Sequence, residues 1–106
     1  MTDTVAANIL TSVEWDEEGF LANTSDWTPA LGEAIAAELG ITLTDRHWIV
    51  INFAREQFEA EGEAPTIRRI TKQTDVQTKE LYGLFPGGAA KVAARIAGLK
   101  KPTGCI

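Results

Sequence analysis

One side chain in this 106-residue sequence is a soft nucleophile: the thiol of Cys105, the only cysteine present. It stands in the run Gly98-Leu99-Lys100-Lys101-Pro102-Thr103-Gly104-Cys105-Ile106. Free cysteines are usually buried as small hydrophobes, yet a place next to the chain end, behind two glycines and a proline, offers little to bury against. Residues 98–106 are therefore expected to form a mobile C-terminal arm, with Gly98, Pro102 and Gly104 as hinge points, that carries the thiol to another molecule. Lys91, Arg95, Lys100 and Lys101 precede it, and no acid occurs from Pro86 onward. Nearby positive charge favours the thiolate, the nucleophilic form, and the same four cations would steer an acidic partner or favour an anionic adduct. In a solvated tail that field is screened. The segment thus reads as a substrate tail, completed inside a partner's pocket, rather than as a self-contained active site.

The remaining residue types add little chemistry. His47 is the only histidine, has no second ligand or acid at useful spacing, and reads as a helix-surface or half-buried structural residue. One cysteine and one histidine are too few for a structural zinc site. No phosphate loop and no Cys/His/Asp arrangement is present, so neither metal nor cofactor is expected. Gly87-Gly88 reads as a helix breaker, with only a weak case for an anion cradle. A single cysteine closes no internal disulfide, the first residues lack a signal-peptide pattern, and no apolar run is long enough to span a bilayer. These features point to a cytoplasmic protein without membrane insertion.

Charge is unevenly spread around a net of −5. Residues 1–63 hold thirteen acids against Arg46 and Arg55, a net of −11, whereas residues 64–106 hold eight bases against Asp75 and Glu80, a net of +6. Such asymmetry suggests an anionic partner for the basic half, or two halves that attract each other. Length and composition, 44% hydrophobic and 24% charged, fit one domain over residues 1–106.

The elements that must position the thiol read as mainly helical. Ile9–Val13 and Gly19–Leu21 flank the turn Asp16-Glu17-Glu18-Gly19 and predict a small N-terminal β-hairpin, which makes the fold class α+β. Thr28 and Pro29 predict the cap and first position of a helix that Gly40 ends. Thr44 and Gly62 bracket a second helix, with Trp48, Ile51 and Phe58 as core. Beyond it come short helices: one opened by Pro65 and carrying Ile67 and Ile70, one over Val76–Phe85 after the Thr74-Asp75 turn, and one over Ala89–Ala97 bounded by Gly98. The first two of these make a helix-turn-helix-like unit. Arg68, Arg69, Lys72 and Lys79 could meet phosphates, and Gln73, Gln77 and Thr78 could reach base edges, but the acid-rich chain lacks a specific signature and direct DNA binding is not expected.

The stretches Leu81-Tyr82-Gly83-Leu84-Phe85-Pro86-Gly87-Gly88-Ala89-Ala90-Lys91 and Ile96-Ala97-Gly98-Leu99-Lys100-Lys101-Pro102-Thr103-Gly104-Cys105-Ile106 closely resemble the C-terminus of the DsrC/TusE family. Asp16–Leu21, Asp26-Trp27, His47-Trp48, Ile51–Arg55 and Ala64–Arg68 extend the resemblance over nearly all of residues 14–106. The resemblance implies a mainly helical fold with an N-terminal hairpin, a helix-turn-helix-like core and a mobile arm. It implies a sulfur carrier whose penultimate cysteine takes up sulfane sulfur as a persulfide, so that the partners are an upstream persulfide donor protein and a downstream acceptor enzyme. TusE-type members deliver sulfur toward 2-thiouridine in tRNA; DsrC-type members serve dissimilatory sulfite reductase. DsrC proper carries a second cysteine eleven positions before the penultimate one, and here that position is Ala94. An intramolecular bridge is thereby excluded, while single-thiol transfer of the TusE type is not. The stretch Lys72–Glu80 is shorter than in many members. Tyr82 and Arg55 could steady the arm when it folds back. Two readings stand beside the carrier: a helix-turn-helix regulatory or interaction protein, and a non-redox accessory subunit of dissimilatory sulfite reductase.

Overall fold

The computed structural model describes residues 9–100. Among the described residues the architecture is carried by α1 (Pro29–Glu38), α2 (Asp45–Glu61), α3 (Ile67–Gln73), α4 (Thr78–Leu84) and α5 (Ala89–Ile96), with a 3₁₀ turn at Thr24–Asp26. Their starts follow local chemistry. Thr28 Oγ1 accepts the Leu31 N–H at 3.2 Å with Pro29 at the first helical position, and Thr66 Oγ1 accepts the Arg69 N–H at 3.2 Å. Gly40 and Gly62 stop α1 and α2 with positive φ, as their spacing predicts. Pro65, read as opening α3, is instead buried just ahead of the Thr66 cap.

The N-terminal hairpin is smaller than the sequence suggests. Among the described residues the only β pairing is one antiparallel bridge, Trp15 with Leu21. Residues 9–11, read as strand, are helical. Three local bonds outweigh the β propensity there. The Trp15 indole N–H donates to the Leu10 carbonyl at 2.8 Å, which keeps the preceding segment folded back. Asp16 Oδ1 accepts the N–H groups of Glu18 and Phe20, both at 2.9 Å, and closes the reversal within five residues.

α5 is the central element. It packs against both α1 and α2, while α3 packs on α2 and α4, and α4 on α5. The contact is close because α5 buries the small side chains Ala89, Ala90, Ala93 and Ala94, of which Ala89, Ala93 and Ala94 share one core cluster with Val50, Ile51 and Ala54 of α2. Trp48 and Phe58, read as core with Ile51, are only half-buried on the flanks; Val50 and Ala54 take the centre. His47 is fully inside at 6% exposure, rather than at the surface. Its Nδ1 accepts the Thr44 N–H at 3.0 Å, so its Nε2–H donates to the Leu84 carbonyl at 2.9 Å, and the ring meets Phe85 edge-on. The imidazole therefore ties the start of α2 to the end of α4.

α5 ends in a Schellman closure. Gly98 adopts φ 72°, its N–H donates to the Arg95 carbonyl at 3.2 Å, and the Leu99 N–H donates to the Ala94 carbonyl at 2.9 Å. Leu99 is 1% exposed and Lys100 is exposed. Gly98 and Leu99, placed by the sequence at the start of the arm, thus belong to the packed body. The positive φ and the contact against Trp27 explain why: a Cβ on residue 98 would lie 2.3 Å from Trp27 Cδ1.

A charged joint fastens the start of α2 a second time. Arg46 grips Glu80 with two bonds of 2.7 Å and reaches Asp75 at 3.1 Å, linking α2 to the α3–α4 turn. The hydrogen bond from Arg46 holds the Glu80 carboxyl below its ordinary range. A carboxylate shifted this way adds stability above its unfolded pKa and loses it as pH falls through the lowered one. Both side chains are partly exposed, so the effect is modest.

Gly98→Ala should cost about 3 kcal/mol or more in urea denaturation, from overpacking against Trp27 plus an unfavourable φ; a loss under about 1 kcal/mol would contradict this packing. Glu80→Gln should lower the melting temperature at neutral pH, with the gap closing as pH falls through the carboxylate range. A gap that persists in acid would assign the loss to packing instead of charge.

Candidate functional site

The described chain ends one residue past the α5 closure, and the residues read as Lys101, Pro102, Gly104 and Cys105 of the arm lie outside the described residues. What the structure shows is the platform from which they depart. Trp27 is its centre. Its indole Nε1–H donates to the Ile96 carbonyl at 2.8 Å, across 69 positions of sequence. The ring lies under Gly98 on one side and against Gly32 of α1 on another, where a Cβ would sit 3.0 Å from Cζ2 and 3.2 Å from the Ile96 oxygen. Glycine at 32 and 98 is what lets α1, the indole and the end of α5 meet.

Arg55 of α2 completes the platform. Its guanidinium lies 4.3 Å from the centroid of the Trp27 ring, a cation–π contact. Nη1–H donates to the Ala97 carbonyl at 2.7 Å, and Nη2–H to the Thr24 carbonyl at 3.3 Å. Burial pushes the Arg55 pKa down from its ordinary value, offset in part by the nearby Glu59 charge. Trp48 meets Trp27 edge-on at 6.5 Å and closes the outer side. The two carbonyls that end α5 are thus held by side chains from two other parts of the fold.

The cations named from the sequence fall into different settings. Lys91 is exposed on a groove with Tyr82, Ile67 and the Gly87-Gly88 turn. Lys100 is exposed directly after the closure. Arg95, one turn beyond Lys91, is turned inward: Nη2–H donates to the Glu18 carbonyl at 3.1 Å, the guanidinium lies 5.0 Å from the Phe20 ring centroid, and Nε is buried with no hydrogen-bond partner among the described residues. Its geometry is that of a staple between α5 and the N-terminal turn. Tyr82, 52% exposed, has its place in the Lys91 groove, whereas Arg55 sits at the platform itself.

Ala94 is 2% exposed and borders a narrow crevice with Ala54, Ala64, Pro65 and Ile70. The position eleven before Cys105 therefore faces the α2–α3 interior. In the helix-turn-helix-like unit, Arg68, Arg69 and Lys72 line a groove on α3, while α4 carries Lys79 and the Glu80 already paired to Arg46. Cations gather on the first helix, not on the second, which is the one that reads a DNA groove in such units. No helix among the described residues is long and apolar enough to cross a membrane.

Trp27 as the anchor of the chain exit is what sequence reading alone misses. The available signal was an apolar residue, Leu99, directly after a helix-ending glycine, the usual companion of a Schellman closure.

Known proteins match this arrangement along almost the whole chain. A family model described as DsrC like protein matches residues 9–106. The sulfurtransferase TusE of Yersinia pseudotuberculosis is 40% identical over 101 residues, covering 89% of this chain and 94% of that protein. The gamma subunit of the dissimilatory-type sulfite reductase of Nitratidesulfovibrio vulgaris is 41% identical over 96 residues, covering 90% and 91%. The solution structure of Allochromatium vinosum DsrC superposes with a TM-score of 0.78 at 44% identity, covering 89% and 90%. The oxidized gamma subunit from Archaeoglobus fulgidus gives 0.79 at 39% identity, covering 89% and 92%. With a helical fold and a sequence that both agree over this length, the chain belongs to the DsrC/TusE family of sulfur-relay proteins.

Proposed function

We propose that this protein is a single-thiol sulfur carrier, loaded as a persulfide on Cys105. The observation that carries the reading is the family membership combined with the ending Lys-Pro-Thr-Gly-Cys and alanine at position 94. The Cys105 thiolate attacks the terminal sulfur of a donor protein's Cys–S–S⁻ group. A new S–S bond forms at Cys105 as the donor's S–S bond breaks, and the donor cysteine leaves as thiolate. Passing the sulfur on repeats the exchange with Cys105 as leaving group, so no external oxidant or reductant is consumed. Lys91, Lys100 and Lys101 steer an acidic partner and favour the anionic persulfide, with Arg95 adding charge from its stapled position. Gly98 sets the direction in which the chain leaves, and Pro102 and Gly104 shape the remainder of the arm.

One cysteine allows exchange between proteins but no bridge within the chain, and this favours relay of the TusE type, toward tRNA thiolation in the cytoplasm. Donor and acceptor are then separate enzymes. An accessory role on dissimilatory sulfite reductase would need no persulfide at all, and so would be told apart by the same assay. A DNA-reading role finds little support in an α4 with one lysine and a carboxylate committed to Arg46.

Intact-protein mass spectrometry provides the test. Reduced protein incubated with polysulfide or a persulfidated sulfurtransferase should gain about 32 Da per sulfur, removable by reductant and absent in Cys105→Ser. No adduct on the wild type from either donor would refute the carrier reading.

A further inference from the structure

The end of α5 carries more restraint than helix termination needs. The Gly98 and Leu99 amides already close the last turn. The carbonyls of Ile96 and Ala97, which at an ordinary helix end are left to water, accept bonds of 2.8 and 2.7 Å from Trp27 and Arg55. Arg55 serves here although partly desolvated, and among the described residues it forms no ion pair that would account for its burial. The next residues are a buried Leu99 and an exposed Lys100. The restraint is therefore concentrated on the point at which the chain departs toward its thiol.

We propose that Trp27 and Arg55 are positioning residues for sulfur transfer, fixing through the Ile96 and Ala97 carbonyls the root from which Cys105 meets a partner protein. This rests on the carrier reading above. From a fixed Leu99, six residues reach at most about 20 Å to Cys105; from Ile96, nine residues reach about 30 Å. Lengthening the tether from six residues to nine dilutes the thiol about twofold at a docked partner's active site. Loss of a preferred approach direction adds to this. The intrinsic reactivity of the thiol stays as it was.

Two variants separate position from stability. Trp27→Phe keeps a ring against Gly98 but removes the indole N–H; Arg55→Lys keeps a cation but removes the fork that spans two carbonyls. Each is compared with the wild type at a temperature where circular dichroism shows it folded. Alkylation of Cys105 by iodoacetamide should be unchanged. The second-order rate constant of sulfur uptake from thiosulfate-loaded rhodanese should fall about twofold or more. Anisotropy of a maleimide fluorophore on Cys105, read without any partner, should also fall in both variants. Unchanged anisotropy in folded variants overturns the proposal, as does unchanged uptake with only a lower melting temperature. A wild type that takes sulfur from neither rhodanese nor polysulfide, with anisotropy still falling as described, refutes the carrier reading and leaves the fixed root standing.

Discussion

Trp27 is wedged where three parts of the chain converge, and the geometry of the C-terminal exit depends on that wedge. Its ring fills the space left by the absent side chains of Gly32 and Gly98, its N–H holds the Ile96 carbonyl, and its face receives the Arg55 guanidinium. Each contact constrains the others. A side chain at 98 would strike the indole, a side chain at 32 would push α1 away from α5, and without the indole the Arg55 cation would lose its stacking partner. The wedge joins α2 and α5 through directional polar contacts and meets α1 by packing against Gly32, over a core that is otherwise apolar and alanine-rich.

That constraint bears on chemistry through the proposed carrier reading, in which Cys105 reacts inside a partner's pocket. Thiol–persulfide exchange asks for an approach of one sulfur toward another and a thiolate at the moment of attack. A carrier can leave thiolate formation to its partner but must deliver its cysteine to the partner's active site. In this chain the contribution of the body is to hold the departure point. On the proposed carrier reading, alanine at 94, where the resemblance places a second cysteine in DsrC proper, leaves exchange with another protein as the reaction open to Cys105.

Much of this fold is legible in the sequence because its signals are local. Thr28-Pro29, Thr44 and Gly62, and Gly98 mark helix limits through hydrogen bonds and φ preferences within a few residues. The failures come where a group outside the segment decides, whether near or far in sequence. Ile9–Val13 has strand-like side chains, yet residues 9–11 are helical because the Trp15 indole claims the Leu10 carbonyl. His47 has the look of a surface residue on a helix N-terminus until the Leu84 carbonyl and Phe85 ring arrive from 37 positions away to bury it. Arg95 was readable as a cation near the thiol but not as the partner of the Glu18 carbonyl, 77 positions back. The proposed carrier residue, Cys105, is read from its type and its neighbours; the platform is not legible, since Trp27 and Ile96 approach one another only in the folded chain.

Residue-resolved amide hydrogen exchange on the wild-type protein tests the fixed exit most directly. The Gly98 and Leu99 amides should be protected to the level of the α5 interior, exchanging only with the larger openings that release Ala93 and Ala94. Exchange of Gly98 and Leu99 at the rate of an unstructured peptide, with α5 still protected, would contradict a root held by Trp27 and Arg55.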